Sequence, residues 1–136
     1  MSEDKIREAI EAQITKLRLD GKEITDLTPL AGLTELRTLQ LEGNQIEDLS
    51  PLEKLTELSM LDLDNNQVTD LEPLAKLTKL SSIRLGFNQL SILNPLHELS
   101  QLETLWLDDN PDLKPAMLTK LEKMLPNCRI HHNADE

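Results

Sequence analysis

The chain has 136 residues, a net charge of −11 and 1% aromatic residues, whereas 30 of its residues are leucine. No apolar run approaches the roughly 18 residues that a membrane span needs. The first residues lack the basic and then apolar pattern of a signal peptide, so we expect a cytoplasmic protein, or else a secreted or cell-surface domain separated from its signal. The single cysteine excludes an internal disulfide, and the acidic charge argues against nucleic acids and membranes as partners.

Residues 1–13 predict a short capping helix at the N-terminus. Ile6, Ala9 and Ile10 recur at the spacing of one helical face. We expect this face to cover the open end of the core beside the first strand, because an uncovered sheet end invites aggregation.

Residues 14–110 consist of five repeats of 22 residues, the last one truncated. Three residue types recur at this spacing: Leu36, Leu58, Leu80 and Leu102; Asn44, Asn66, Asn88 and Asn110; Pro29, Pro51, Pro73 and Pro95. Each repeat opens with L-x-x-L-x-L, whose alternation predicts a short strand with one buried face. The proline in the second half favours a 3₁₀ or extended segment over a long helix. Because the repeats have equal length, we expect their strands to stack in parallel.

The pattern LxxLxLxxNxIxDLxPLxxLTxL resembles the 22-residue class of leucine-rich repeat, which occurs in bacterial internalins and in a eukaryotic regulator of protein phosphatase one. The resemblance implies an α/β fold, a right-handed solenoid arc with a parallel β-sheet on its concave side and 3₁₀ or extended segments on its convex side. It also implies a ladder of side-chain amides that bond the backbone of adjacent turns, formed here by Asn44, Asn66, Asn88 and Asn110. The first repeat has Lys22 at this position, so we expect the ladder to end there.

Residues 111–136 predict a C-terminal cap. Pro115 suits the start of a helix over 115–125, and Met117, Leu118 and Leu121 share one face of it. The following residues fit the strand template as a degenerate sixth strand over 127–131. In that alignment Cys128 takes a core leucine position, which predicts a buried structural thiol rather than a nucleophile.

The residues between the leucines of each strand should face outward and carry the function. The only tryptophan, Trp106, falls in such a position, with Arg84 and Arg129 predicted as its neighbours on the adjacent strands. Trp and Arg dominate interface energetics, so we interpret this patch as a binding site, although cation–π packing on the surface would also explain it. The other predicted contact residues are Met60, Asp62, Gln40, Asp64 and Asp108.

A row of acidic residues runs along one edge of the predicted sheet and comprises Asp20, Glu42, Asp64 and Asp108. Clustered carboxylates can bind hard cations, but acids at these positions also accept loop N–H groups, so we expect a solvated edge and no metal. His131 beside Asp108, with His132 next to it, is only a weak metal candidate, because consecutive residues on a strand face opposite ways. No catalytic triad, phosphate loop or zinc motif is present, so we expect neither an enzyme nor a cofactor.

These features together predict a monomeric, non-catalytic protein-interaction module that binds a protein partner through its concave sheet. The acidic charge favours a basic partner. Two alternatives remain open. The first alternative is a structural scaffold domain of a larger protein, secreted or engineered. The second is a regulatory subunit that docks on an enzyme.

Overall fold

The computed structural model describes residues 3–134, so residues 1–2 and 135–136 at the ends of the two predicted caps lie outside the description. A helix, α1, spans Glu3–Ala12 and lies against the first 3₁₀ turn. The side chains of Ile6, Ala9 and Ile10, which we expected to cover the core, also lie outside the description. A second helix, α2, spans Pro115–Met124, and Pro115 occupies its first turn.

Six short strands form one parallel sheet in chain order, β1 to β6. The strands are β1 (Lys16–Arg18), β2 (Thr38–Gln40), β3 (Met60–Asp62), β4 (Ser82–Arg84), β5 (Thr104–Trp106) and β6 (Arg129–His131). Four 3₁₀ turns lie on the opposite, convex side, at Thr28–Leu30, Ser50–Leu52, Glu72–Leu74 and Asn94–Leu96. Each turn has a proline at its start, where the missing N–H and fixed φ are tolerated. This is the leucine-rich-repeat solenoid that the resemblance implied.

The leucines of all repeats form one continuous core between the sheet and the turns. The central residue of each of the first five strands pairs in register with its equivalent in the next strand, and Leu39, Leu61 and Leu105 are fully buried. A repeat contacts mainly its neighbours, so its apolar residues become buried only when the repeats stack.

The register of the last strand differs from the sequence prediction by two residues. Ile130, rather than Cys128, pairs with Leu105, and β6 begins at Arg129 instead of residue 127. The reason is that α2 replaces the usual convex segment and lengthens the final connection beyond the repeat period. Cys128 is therefore only half-buried against the core, and burial raises the pKa of its thiol.

The asparagine side chains bridge consecutive repeats. Asn66 Oδ1 accepts the backbone N–H of Ile46 at 3.0 Å, and its Nδ2 donates to the carbonyls of Leu41 and Leu63 at 3.0 and 3.1 Å. Asn44, Asn88 and Asn110 make equivalent bonds. At the first repeat, Lys22 takes part only through its backbone N–H, which donates to Asn44 Oδ1. The ladder thus satisfies buried backbone groups that the sheet leaves unpaired.

The loop after each of the first five strands turns through a left-handed residue. The equivalent positions are Gly21, Gly43, Asn65, Phe87 and Asp109, with φ between 56° and 71°. Gly, Asn and Asp tolerate this conformation, whereas a bulky side chain is an outlier. Phe87 is that outlier, and 53% of it is exposed. None of the described helices is long and apolar enough to cross a membrane.

Candidate functional site

The concave face displays the two end residues of every three-residue strand, because the central residue points into the core. We call the row formed by the last strand residues the central row; it contains Arg18, Gln40, Asp62, Arg84, Trp106 and His131. Adjacent members of the row lie one strand spacing apart, about 4.8 Å.

Three side chains of the central row form a stack on β4, β5 and β6. The Arg84 guanidinium carbon lies 4.5 Å from the centroid of the Trp106 ring. On the other neighbouring strand, the His131 ring lies 5.2 Å from Trp106, with only 7° between the ring planes. The indole is therefore held between a cation and an aromatic ring, each contact contributing on the order of 0.5–1.5 kcal/mol.

The prediction that Arg129 is the neighbour of Trp106 on the last strand is wrong. Arg129 pairs with Thr104, and His131 pairs with Trp106, because of the register shift in β6. The sequence prediction placed His131 in the acidic row and so missed its contact with the indole. The helix before this strand was predicted, but its presence alone does not fix how many residues the connection takes.

The cationic member of the stack is fixed by an ion pair. Arg84 Nε donates to Asp64 Oδ2 at 2.9 Å, and Asp64 Oδ1 accepts the Gly86 N–H at 2.8 Å. The hydrogen bond to Asp64 raises the pKa of Arg84 further above neutrality. The guanidinium is thus oriented before any partner arrives, which lowers the entropy cost of binding.

Two of the acidic residues that the sequence placed on the surface, Asp62 among the contact residues and Asp64 in the acidic row, are buried. Asp62 and Asp64 are 7% and 8% exposed, so they lie beneath the surface instead of on a solvated edge. Burial raises the pKa of Asp62, and the Asp64 N–H that donates to its carboxylate at 3.0 Å partly offsets this effect. Glu42 is exposed and Asp108 is half-exposed, so these two remain as surface acids.

The remaining predicted contact residues are accessible but separate from the stack. Gln40 and Met60 are both half-exposed, and Met60 lies two strands away from Trp106. Asp20 at the sheet edge accepts the Glu42 N–H at 2.9 Å, which is the loop-bonding role that such acids often have.

The two C-terminal histidines do not form a metal centre with their neighbours. His131 stacks on Trp106, while the His132 Nε2 lies 3.8 Å from a carboxylate oxygen of Glu122 on α2. Within residues 3–134, no three His, Cys, Asp or Glu side chains lie together as metal ligands would.

The comparison with known structures places this geometry among bacterial repeat proteins. Internalin InlF of Listeria monocytogenes superposes with a TM-score of 0.82 at 28% identity, over 100% of this chain and 37% of that protein. Internalin C2 of the same organism gives 0.80 at 37% identity, over 90% of this chain and 54% of that protein. A leucine-rich-repeat protein of Leptospira interrogans gives 0.83 at 29% identity, over 96% of this chain and 33% of that protein. The chain thus spans between about a third and just over half of the length of these proteins.

No curated protein sequence matches the chain. The comparison with family models, in contrast, agrees with the structural comparison. The family model for leucine-rich repeats in two copies matches residues 13–54, 34–76 and 56–96, which together cover more than half of the chain. The leucine-rich-repeat fold generally serves protein interaction. The chain belongs to the leucine-rich-repeat family.

Proposed function

We propose that the chain binds a protein partner through its concave face, with Trp106 at the centre of the contact. The observation that carries this proposal is the stack of Arg84, Trp106 and His131. It holds the chain's only tryptophan half-exposed on the outward face, whereas the core is built from aliphatic residues. Trp and Arg are the residue types in which interface energy concentrates.

The stack determines how a partner would meet the indole. Because the two neighbouring strands supply Arg84 on one side of the ring and His131 on the other, the ring faces are occupied. The edge of the ring and the indole N–H remain for the partner. A partner group that accepts this hydrogen bond while packing on the ring edge fits the geometry.

The charge on the face favours a basic partner. Glu42 and Asp108 are surface acids, and the whole chain carries a net charge of −11. Complementary charge would raise the association rate and make it fall with added salt. The proposed role is binding without catalysis, since the open concave face excludes little water from a bound partner. In this proposal the chain binds as a monomer.

The experiment is a comparative capture from lysates of the source organism with two matched variants. Trp106→Ala removes the indole, and Met124→Ala removes an apolar side chain on α2 that is 48% exposed. Circular dichroism melting first establishes that both variants fold. A protein captured by the wild type and by Met124→Ala, but lost with Trp106→Ala, supports the proposal. Equal capture by all three chains overturns it.

A second readout follows the indole directly. Because Trp106 is the only tryptophan, 5-fluorotryptophan labelling gives a single ¹⁹F resonance. Addition of the captured protein should shift this resonance. If that protein is an enzyme whose rate changes on binding, the chain acts as a regulatory subunit, which is one of the alternatives that the sequence left open.

A further inference from the structure

The convex side carries a break in the repeat pattern at the fourth repeat. Asp26, Asp48 and Asp70 occupy equivalent positions before the first three 3₁₀ turns. In each case the carboxylate accepts the backbone N–H two residues later, at 2.9 Å. The fourth repeat has Ile92 at this position. Its turn therefore lacks the side-chain cap of the other three.

The isoleucine does not gain burial in exchange for the lost cap. Ile92 is 59% exposed, and with Phe87 and Met124 it belongs to the exposed large hydrophobic residues of the described chain. Replacing a capping carboxylate by an exposed aliphatic group destabilises a turn and leaves apolar surface in water. Stability of the solenoid thus gives no reason for isoleucine here.

A cavity of about 390 Å³ opens beside Ile92, between the fourth 3₁₀ turn and α2. Its apolar wall combines Ile92 and Leu93 with Ala116 and Met117 of α2. The cavity forms at this repeat because α2 replaces the convex segment of the next one.

The polar side of the cavity is basic, in contrast to the acidic chain. Lys120 and His97 line it, and no carboxylate among the described residues does so. The row of aspartates on the preceding turns ends where the cavity begins. Burial and the nearby Lys120 charge lower the pKa of His97, so His97 is neutral at pH 7 and Lys120 is the cation that a bound carboxylate would pair with.

We propose that this cavity is a second binding site, which takes a protein segment carrying an aliphatic side chain next to a carboxylate. The aliphatic group would pack on Ile92 and Met117, and the carboxylate would pair with Lys120. A segment fits better than a small molecule, because Asn94 and Lys120 at its rim are exposed and leave the cavity open, whereas small-molecule sites enclose most of their ligand.

The test is an NMR titration of the ¹⁵N-labelled chain with a capped peptide of alternating leucine and glutamate. A peptide of alternating leucine and lysine is the control probe. The proposal expects the acidic peptide to shift the amide resonances of Ile92, His97, Met117 and Lys120, and the basic peptide to leave them unchanged. Equal shifts with both peptides, or none with the acidic one, overturn it.

Two matched variants sharpen the result. Ile92→Asp restores the residue of the other repeats and should weaken peptide binding at least ~10-fold while raising the melting temperature. Asp48→Ile installs an isoleucine at an equivalent turn that has no α2 beside it, and should create no second peptide site. Retained affinity in Ile92→Asp contradicts the proposal. Trp106→Ala should bind the peptide like the wild type, which separates this site from the concave face.

Other occupants of the cavity have their own signatures. Sedimentation that shows a wild-type dimer, dissociated by Ile92→Asp, would overturn the proposal in favour of a second copy of the chain. Octanoate that shifts the same resonances as strongly as the acidic peptide would overturn it in favour of a small amphiphilic acid.

Discussion

Replacement of Asn66 by alanine tests the amide ladder, and the structure allows its cost to be worked out. The carbonyls of Leu41 and Leu63 keep a second donor, from Asn44 and Asn88 respectively. The Ile46 N–H has no other acceptor among the described residues. Asn66→Ala therefore leaves one buried donor unpaired, which costs about 1–3 kcal/mol.

The assay is urea unfolding followed by circular dichroism, with Gln67→Ala as the control. Gln67 is exposed and adjacent, so its truncation should change the free energy of unfolding by less than ~0.5 kcal/mol. Hydrogen exchange of the Ile46 amide gives a local readout, because this N–H should lose protection selectively in Asn66→Ala. An unchanged midpoint together with full protection of that amide would refute the ladder argument.

Three further predictions concern neighbouring surfaces. On β5, Leu105→Ala should cost about 2–5 kcal/mol of unfolding free energy, while Trp106→Ala should cost less than ~2 kcal/mol, and similar losses in urea melts would contradict the outward placement of the indole. Asp70→Ala should lower, and Ile92→Asp raise, the free energy of unfolding by about 0.5–1 kcal/mol, and opposite shifts in thermal melts would remove the capping argument. Burial raises the pKa of Asp62 in the folded state, so ionisation of this carboxyl destabilises the fold as the pH rises. Asp62→Asn should therefore be more stable than the wild type at pH 7, as measured by urea unfolding midpoints. The difference between the two chains should disappear below about pH 4, where the carboxyl is protonated in both the folded and the unfolded state.

The sequence predicted most of the fold because its repeats are periodic. A spacing of 22 residues requires parallel strands in register, and this holds from β1 to β5. The prediction failed at β6, where α2 breaks the period and no local signal fixes how many residues the connection takes. Arg129 was therefore assigned to the wrong row, and the contact between His131 and Trp106 was missed.

Burial on the concave face was harder to predict than register. The template marks Asp62 as an outward position, but it does not show how neighbouring side chains cover it. The convex cavity had a readable signal, since Ile92 interrupts a row of aspartates. Recognising it as a cavity required the position of α2, which depends on packing between distant segments.

The amide ladder also gives the solenoid a direction. The Ile46 N–H depends on an amide from the following repeat, whereas Asn66 keeps acceptors in its own repeat, Leu63 and Asp64, if the preceding one is lost. A repeat therefore needs its successor more than its predecessor. Removing repeats from the N-terminal side should leave fewer unpaired backbone N–H groups in the remaining repeats than removing them from the C-terminal side. The two ends of the arc are therefore unequal points at which to shorten it.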